Sequence, residues 1–158
     1  DPRDNTIYLS EPVYGAGTVA AVGVAAHEAG HAVQYALGYG PIRIRAFIIP
    51  ATQFGSQFSF IALMLGWVLY SQPLFALGIV LFSLTSVFQL VTLPVEFNAS
   101  ARALRTIDSS FLLDDSERQG AKKVLTAAAL TYVAALLMSL VQLLRYLLMF
   151  AQRSDRRR

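Results

Sequence analysis

The sequence predicts a mainly α-helical, membrane-embedded bundle, with room for one short strand near its start. Three observations predict it. Of 158 residues, 55% are hydrophobic and only 15% charged, and mean hydropathy is positive, a balance too apolar for an ordinary soluble domain. The apolar residues gather into stretches of about twenty, the length a helix needs to cross the hydrocarbon core. Those stretches show no polar face, which helices of a water-soluble bundle keep.

The chain reads as a single membrane domain over residues 1–158. "NTIYLS" (5–10) is β-branched and aromatic, the composition of a short strand, and "SEPVY" after it reads as a turn or short helix start. "TVAAVGVAAHEAGHAVQYALG" (18–38) predicts a helix: Thr18 is an N-cap, the alanines favour helix, and Gly38, Gly40 and Pro41 stop it. "PIRIR" (41–45) reads as a basic connector. Two uncharged spans follow, 51–70 and 74–93, joined by a tight hairpin at "SQP". A third, 124–150, is interrupted only by Arg145. Between the second and third lies a polar, charged, partly helical segment, 94–123, expected at the cytoplasmic interface.

Charge narrows the partners. The formal net charge is +3, and the chain closes on "RSDRRR". A basic cluster beside an apolar segment suits anionic lipid headgroups, and no basic stripe interleaved with aromatics points to nucleic acid. Arg43 and Arg45 precede the first span, and Arg102, Arg105, Arg118, Lys122 and Lys123 lie between the second and third. The hairpin puts all of these on one side, the cytoplasm by the excess of positive charge. Three complete spans put the terminal arginines on the opposite face, which leaves the tail unplaced. There is no cysteine, so disulfides, thiolate metal sites and a cysteine nucleophile are excluded. The opening "DPRDN" lacks Met and suggests a fragment or processed product.

The chemistry concentrates in "HEAGH", His27 to His31, which holds both histidines of the chain. Residues four apart on a helix share a face, so His27 and His31 can present two imidazole nitrogens to one ion. Neutral imidazole suits Zn²⁺. Glu28, one residue round the helix, is placed to reach a water at the ion rather than the ion itself, as a general base. Ala29 and Gly30 are small enough for a neighbouring element or substrate to approach closely.

A catalytic zinc takes three protein ligands and leaves one position open. With no further His and no Cys, the third ligand is Asp or Glu. Asp1, Asp4 and Glu11 lie in the polar start, Asp114, Asp115 and Glu117 in a charged run, and Asp155 in the tail. Glu96 stands apart, directly after the second span in "LPVEFNASARAL". A carboxylate beside a membrane span is costly and asks for a partner. The hairpin returns the chain to the side it left, and Pro94 can start or kink a helix there, which brings Glu96 within reach of the motif.

These segments carry a family likeness. "DP…IYLSEPVY…VAAVGVAAHEAGHAVQ", "LVTLPVEFNASARAL" and "GAKKVLTAAALTYVAALL" together resemble the neutral zinc metallopeptidases of bacterial membranes, the YugP-like family, across nearly the whole chain. The resemblance implies a gluzincin-like, multi-pass peptidase of the bacterial cytoplasmic membrane, with His27, His31 and Glu96 on zinc and Glu28 as base. The family carries an additional N-terminal membrane helix and soluble segment. Related membrane gluzincins place an Asp four residues after the ligating Glu; here Ser100 stands in that place, and Asn98 stands where Asp is expected more often. Ser100, Asn98 and Arg102 are the candidates for orienting a ligand.

The expected function is zinc-dependent endopeptidase activity at or near the cytoplasmic interface, on a peptide or membrane-protein substrate. Arg102, Tyr132 and Tyr35 are candidate donors to the developing oxyanion. Intramembrane proteases draw an acidic ligand from within a span, and the apolar spans here hold no Asp. The rival of another class is a catalytically inactive, metal-stabilised membrane scaffold, against which Glu28, a residue with no ligating duty, argues. Oligomeric state is not legible in the sequence.

Overall fold

The structure is a computed structural model, describing Asp4 and residues 6–155. Among these residues it is built from helices alone: α1 (Glu11–Tyr14), α2 (Val19–Ala36), α3 (Gly40–Val68), α4 (Gln72–Ser110) and α5 (Asp115–Asp155). The mainly helical class is as expected. The short strand is not found: residues 6–10 lie outside any helix or strand. A strand exists only against a partner, and local bonds hold this stretch instead, with Thr6 N–H donating to Asp4 Oδ1 at 3.0 Å and the Tyr8 hydroxyl to Asp4 Oδ2 at 2.6 Å.

Both ends of α2 follow from its sequence. Thr18 Oγ1 accepts from the Ala21 amide at 3.2 Å, the N-cap bond that satisfies one otherwise unpaired donor of the first turn. At the other end Gly38 adopts φ +63°, a left-handed conformation that costs glycine nothing. Its amide donates to the Tyr35 carbonyl and the Tyr39 amide to the Gln34 carbonyl, the bond pair of a Schellman motif.

Two expected boundaries move. "PIRIR" is the first turn and a half of α3 rather than a connector, and α4 runs on through Pro94 to Ser110. Burial explains both. Ile42 is buried in the former, and Val95, Ala99, Ala103 and Ile107 recur at helical spacing in the latter, so packing outweighs the polar composition that reads as loop. Among the described residues three helices, α3, α4 and α5, are long and apolar enough to cross a membrane.

The chain divides into two compact units, Asp1–Arg43 with Thr92–Val133, and Ile44–Val91 with Ala134–Arg158. In the first, α2 packs through its small residues. A Cβ at Gly23 would lie 3.9 Å from Ala121 and Leu125 on α5, and one at Gly30 would strike the Ala99 backbone of α4. In the second, glycines again set close helix approach: Gly66 lies against the Phe75 backbone and Gly78 against Leu63. Leu63, Phe75 and Ile79 form its core, with Leu143, Tyr146, Met149 and Phe150 packed against them. Arg153 of α5 donates to the carbonyls of Gly66 and Trp67 at 3.1 and 2.9 Å. The end of α5 therefore lies beside the end of α3, at the α3–α4 turn.

Candidate metal centre

His27 and His31 sit on one face of α2, ring centroids 4.7 Å apart and nearly perpendicular. Glu96 comes from α4, two residues after Pro94, and is only 1% exposed. Its Oε2 is 3.2 Å from His27 Nε2 and 3.6 Å from His31 Nε2. One ligand atom from each of the three lies within 4.8 Å of the others. Sixty-nine residues separate His27 from Glu96 in sequence, so it is packing of α2 on α4 that assembles the group.

The donor set fits zinc. Bonds of about 2.0–2.1 Å at a tetrahedral angle put two ligand atoms about 3.3–3.4 Å apart, and the observed 3.2 and 3.6 Å straddle that spacing. Two imidazoles and a carboxylate are also ligands that zinc takes in catalytic sites. The histidines are only partly exposed, at 16% of each side chain, so the carboxylate is the deep member and the imidazoles the ones nearer solvent.

The far nitrogens of both rings are engaged. His27 Nδ1 lies 3.2 Å from Ser100 Oγ, and His31 Nδ1 lies 3.0 Å from Gln34 Oε1. Ser100 thus touches His27 on the side away from Glu96, with a neutral hydroxyl where an Asp was the expected type. Asn98 and Arg102 stand further back: Arg102 Nε donates to Asn98 Oδ1 at 2.8 Å, and Asn98 Oδ1 accepts from Gln34 Nε2 at 3.0 Å. Burial pushes the His31 imidazole down, but its bonds to Glu96 and Gln34 and the charges of Glu96 and Glu28 outweigh this, so it protonates above the ordinary 6.5. The Glu28 carboxylate is half-buried and acts on His31 through space. A cation entering the group displaces protons from it.

Gln34 is the residue that sequence reasoning missed. It is fully buried, and its Nε2 donates to the Val95 carbonyl at 2.8 Å as well as to Asn98. The available signal was its place three residues after His31, which puts it on the same helical face. Of the oxyanion candidates, Arg102 is tied through Nε to Asn98, Tyr35 is exposed and Tyr132 is half-buried.

The family model described as "Putative neutral zinc metallopeptidase" matches residues 1–151. The chain is 46% identical over 155 residues to the "Putative membrane protease YugP" of Bacillus subtilis (strain 168), an alignment covering 98% of this chain and 69% of that protein. No solved structure matches it significantly. On the family match over almost its whole length, and on that degree of identity, the chain belongs to this neutral zinc metallopeptidase family.

Proposed function

We propose that the protein is a zinc-dependent endopeptidase that hydrolyses peptide bonds of peptide or membrane-protein substrates at or near the cytoplasmic face of a bacterial membrane. The observation that carries this reading is the convergence of His27, His31 and Glu96 within 4.8 Å, with Glu28 one residue from the first ligand. Zinc, when bound, polarises both a water and the substrate carbonyl. His27 and His31 present Nε2, and Glu96 supplies the negative charge that holds a dication in a partly buried site. Glu28 takes the proton of the attacking water and returns it to the leaving amine. This is the division of labour of a gluzincin-like site, in which the third ligand and the base are separate carboxylates.

The membrane placement rests on the three apolar helices and on the relative named as a membrane protease. The cytoplasmic side rests on Arg43, Arg45, Arg102, Arg105, Arg118, Lys122 and Lys123 flanking the spans.

The test is metal stoichiometry together with hydrolysis of an unfolded protein substrate in detergent or proteoliposomes. Wild type is expected to hold about one zinc. Glu96→Ala is expected to lose most of it. Glu28→Gln is expected to retain zinc and lose roughly 10²- to 10⁴-fold in kcat. A wild type that takes up no zinc after reconstitution sinks the metallopeptidase reading. Full zinc with no turnover in wild type leaves the metal-stabilised scaffold in its place.

A further inference from the structure

Each imidazole of the cluster can carry its proton on either nitrogen when neutral, and only an unprotonated Nε2 can ligate in this arrangement. For His27 the partner on Nδ1 is the Ser100 hydroxyl, which can donate or accept, so nothing there fixes the tautomer. For His31 the partner is an amide oxygen, and the surrounding bonds decide it.

The chain of bonds begins at two groups with only one possible role each. The Arg102 Nε–H can only donate, and it lies 2.8 Å from the Asn98 side-chain atom assigned as Oδ1, so that atom is an acceptor. The Val95 carbonyl can only accept, and it lies 2.8 Å from the Gln34 atom assigned as Nε2. The same Gln34 atom lies 3.0 Å from Asn98 Oδ1. Two acceptors therefore face one end of the Gln34 amide, and that end is the NH₂. Its oxygen is then the end that faces His31 Nδ1 at 3.0 Å. An amide oxygen cannot donate, so Nδ1 carries the hydrogen; when the ring is neutral, Nε2, which faces Glu96 Oε2 at 3.6 Å, is the nitrogen without one. The ambiguity between amide nitrogen and oxygen, ordinarily a matter of assignment, is here closed by donor-only and acceptor-only neighbours.

We infer that Gln34 is a positioning residue that selects the ligating tautomer of His31, its own orientation being dictated by Arg102 through Asn98 and by the Val95 carbonyl. The inference rests on the zinc reading for its purpose but not for its geometry. It gives Asn98 and Arg102 a defined part without contact with the cluster. It also couples the two halves of the ligand set, since Val95, which anchors Gln34, is the neighbour of Glu96. Burial makes the arrangement stiff: Gln34 and Val95 have no exposed surface, and a buried amide with a bond missing is costly.

With two histidines in the chain, long-range proton–nitrogen spectra of the ¹⁵N-histidine-labelled, metal-free full chain resolve both rings, and His27→Gln assigns them. At alkaline pH, where the rings are neutral, His31 is expected as the Nδ1–H tautomer, the reverse of the form that free histidine prefers. Gln34→Met, of similar length and without hydrogen bonds, is expected to release that tautomer and weaken zinc binding by about 10- to 100-fold. Asn98→Asp, which keeps an acceptor between Arg102 and Gln34, is expected to preserve both. An Nε2–H tautomer in wild-type His31 overturns the inference without any variant having to fold. So does a Gln34→Met protein whose zinc affinity stays within twofold of wild type. If wild type binds no zinc at all, the metallopeptidase reading falls, while the tautomer and its dependence on Gln34 still decide this inference.

Discussion

Gly30 of α2 lies directly on the backbone of Ala99 of α4: a Cβ at position 30 would come within 2.6 Å of the Ala99 carbonyl oxygen and 3.2 Å of its Cα. Backbone cannot move aside as a flexible side chain can, so any side chain at position 30 pushes the two helices apart. The residues on either side of this contact include all three members of the candidate metal cluster, His27, His31 and Glu96. His27 and His31 flank Gly30 on α2, and Glu96 and Ser100 flank Ala99 on α4.

Gly30→Ala is therefore expected to act on the site and on stability together. Overpacking at a rigid contact costs about 1–3 kcal/mol, partly offset by the better helix propensity of Ala. A separation of even half an ångström takes the Oε2–Nε2 spacings of 3.2 and 3.6 Å away from the roughly 3.3–3.4 Å of a tetrahedral zinc site. Zinc affinity should fall well before the helix content does, measured by chelator competition beside circular dichroism. Unchanged affinity would show that α2 and α4 are not held at this distance.

Zinc removal should destabilise the wild-type chain, because a ligand that binds only the folded state adds stability by mass action, about 2.7 kcal/mol at a free concentration of 100 Kd. The thermal midpoint is expected to drop on chelation in wild type. In Glu96→Ala it is expected to be insensitive to chelator. Equal sensitivity in both proteins would place the bound metal elsewhere.

Arg153 closes the end of α3 from a distance of 87 residues. Its guanidinium donates to the Gly66 and Trp67 carbonyls and lies over the Trp67 ring, 4.2 Å from the centroid. A cation is favoured at a helix C-terminus, and the planar fork serves two carbonyls at once as an ammonium cannot. Arg153→Ala is expected to cost about 1–2 kcal/mol, with Arg153→Lys recovering less than half. Thermal melting in detergent measures both, and full recovery by Lys would reduce the contact to simple charge.

The parts of the site legible in sequence are those set by local geometry or by elimination. His27 and His31 are four apart on a helix whose Thr18 cap and Gly38 stop are explicit, and Glu96, once His and Cys are excluded, is the acidic residue directly after the second apolar span. Gln34 was only half legible: its contact with His31 is local, but its other partners are a carbonyl and an amide 61 and 64 residues away, and a polar residue on a helix is ordinarily a solvated one. The strand over "TIYLS" failed for the same reason in reverse: its composition suits a sheet, and no partner strand is present among the described residues. The extensions of α3 and α4 were hidden by arginines and Pro94, whose local preference yields to the buried faces of Ile42, Ala99 and Ala103.

The start of α5 is expected to be sensitive to acid through Asp114. Its Oδ1 accepts from the Ser116 and Glu117 amides, each at 2.8 Å, and Glu117 Oε2 accepts from the Asp114 amide at 3.0 Å. This is a reciprocal cap that satisfies first-turn donors of the helix. The Glu117 amide, and after it the Ser116 hydroxyl, hold the Asp114 carboxyl below its ordinary 3.8. A carboxyl depressed in the folded state contributes its full stabilisation above the ordinary value and loses it as pH falls through the lower folded one. Amide protection at Ser116 and Glu117 should therefore be constant from neutral pH down to about 4 and decline below that. Asp114→Asn, which caps without titrating, is expected to show no such decline. A parallel decline in the Asn variant would assign the acid sensitivity to another group and remove Asp114 as its cause.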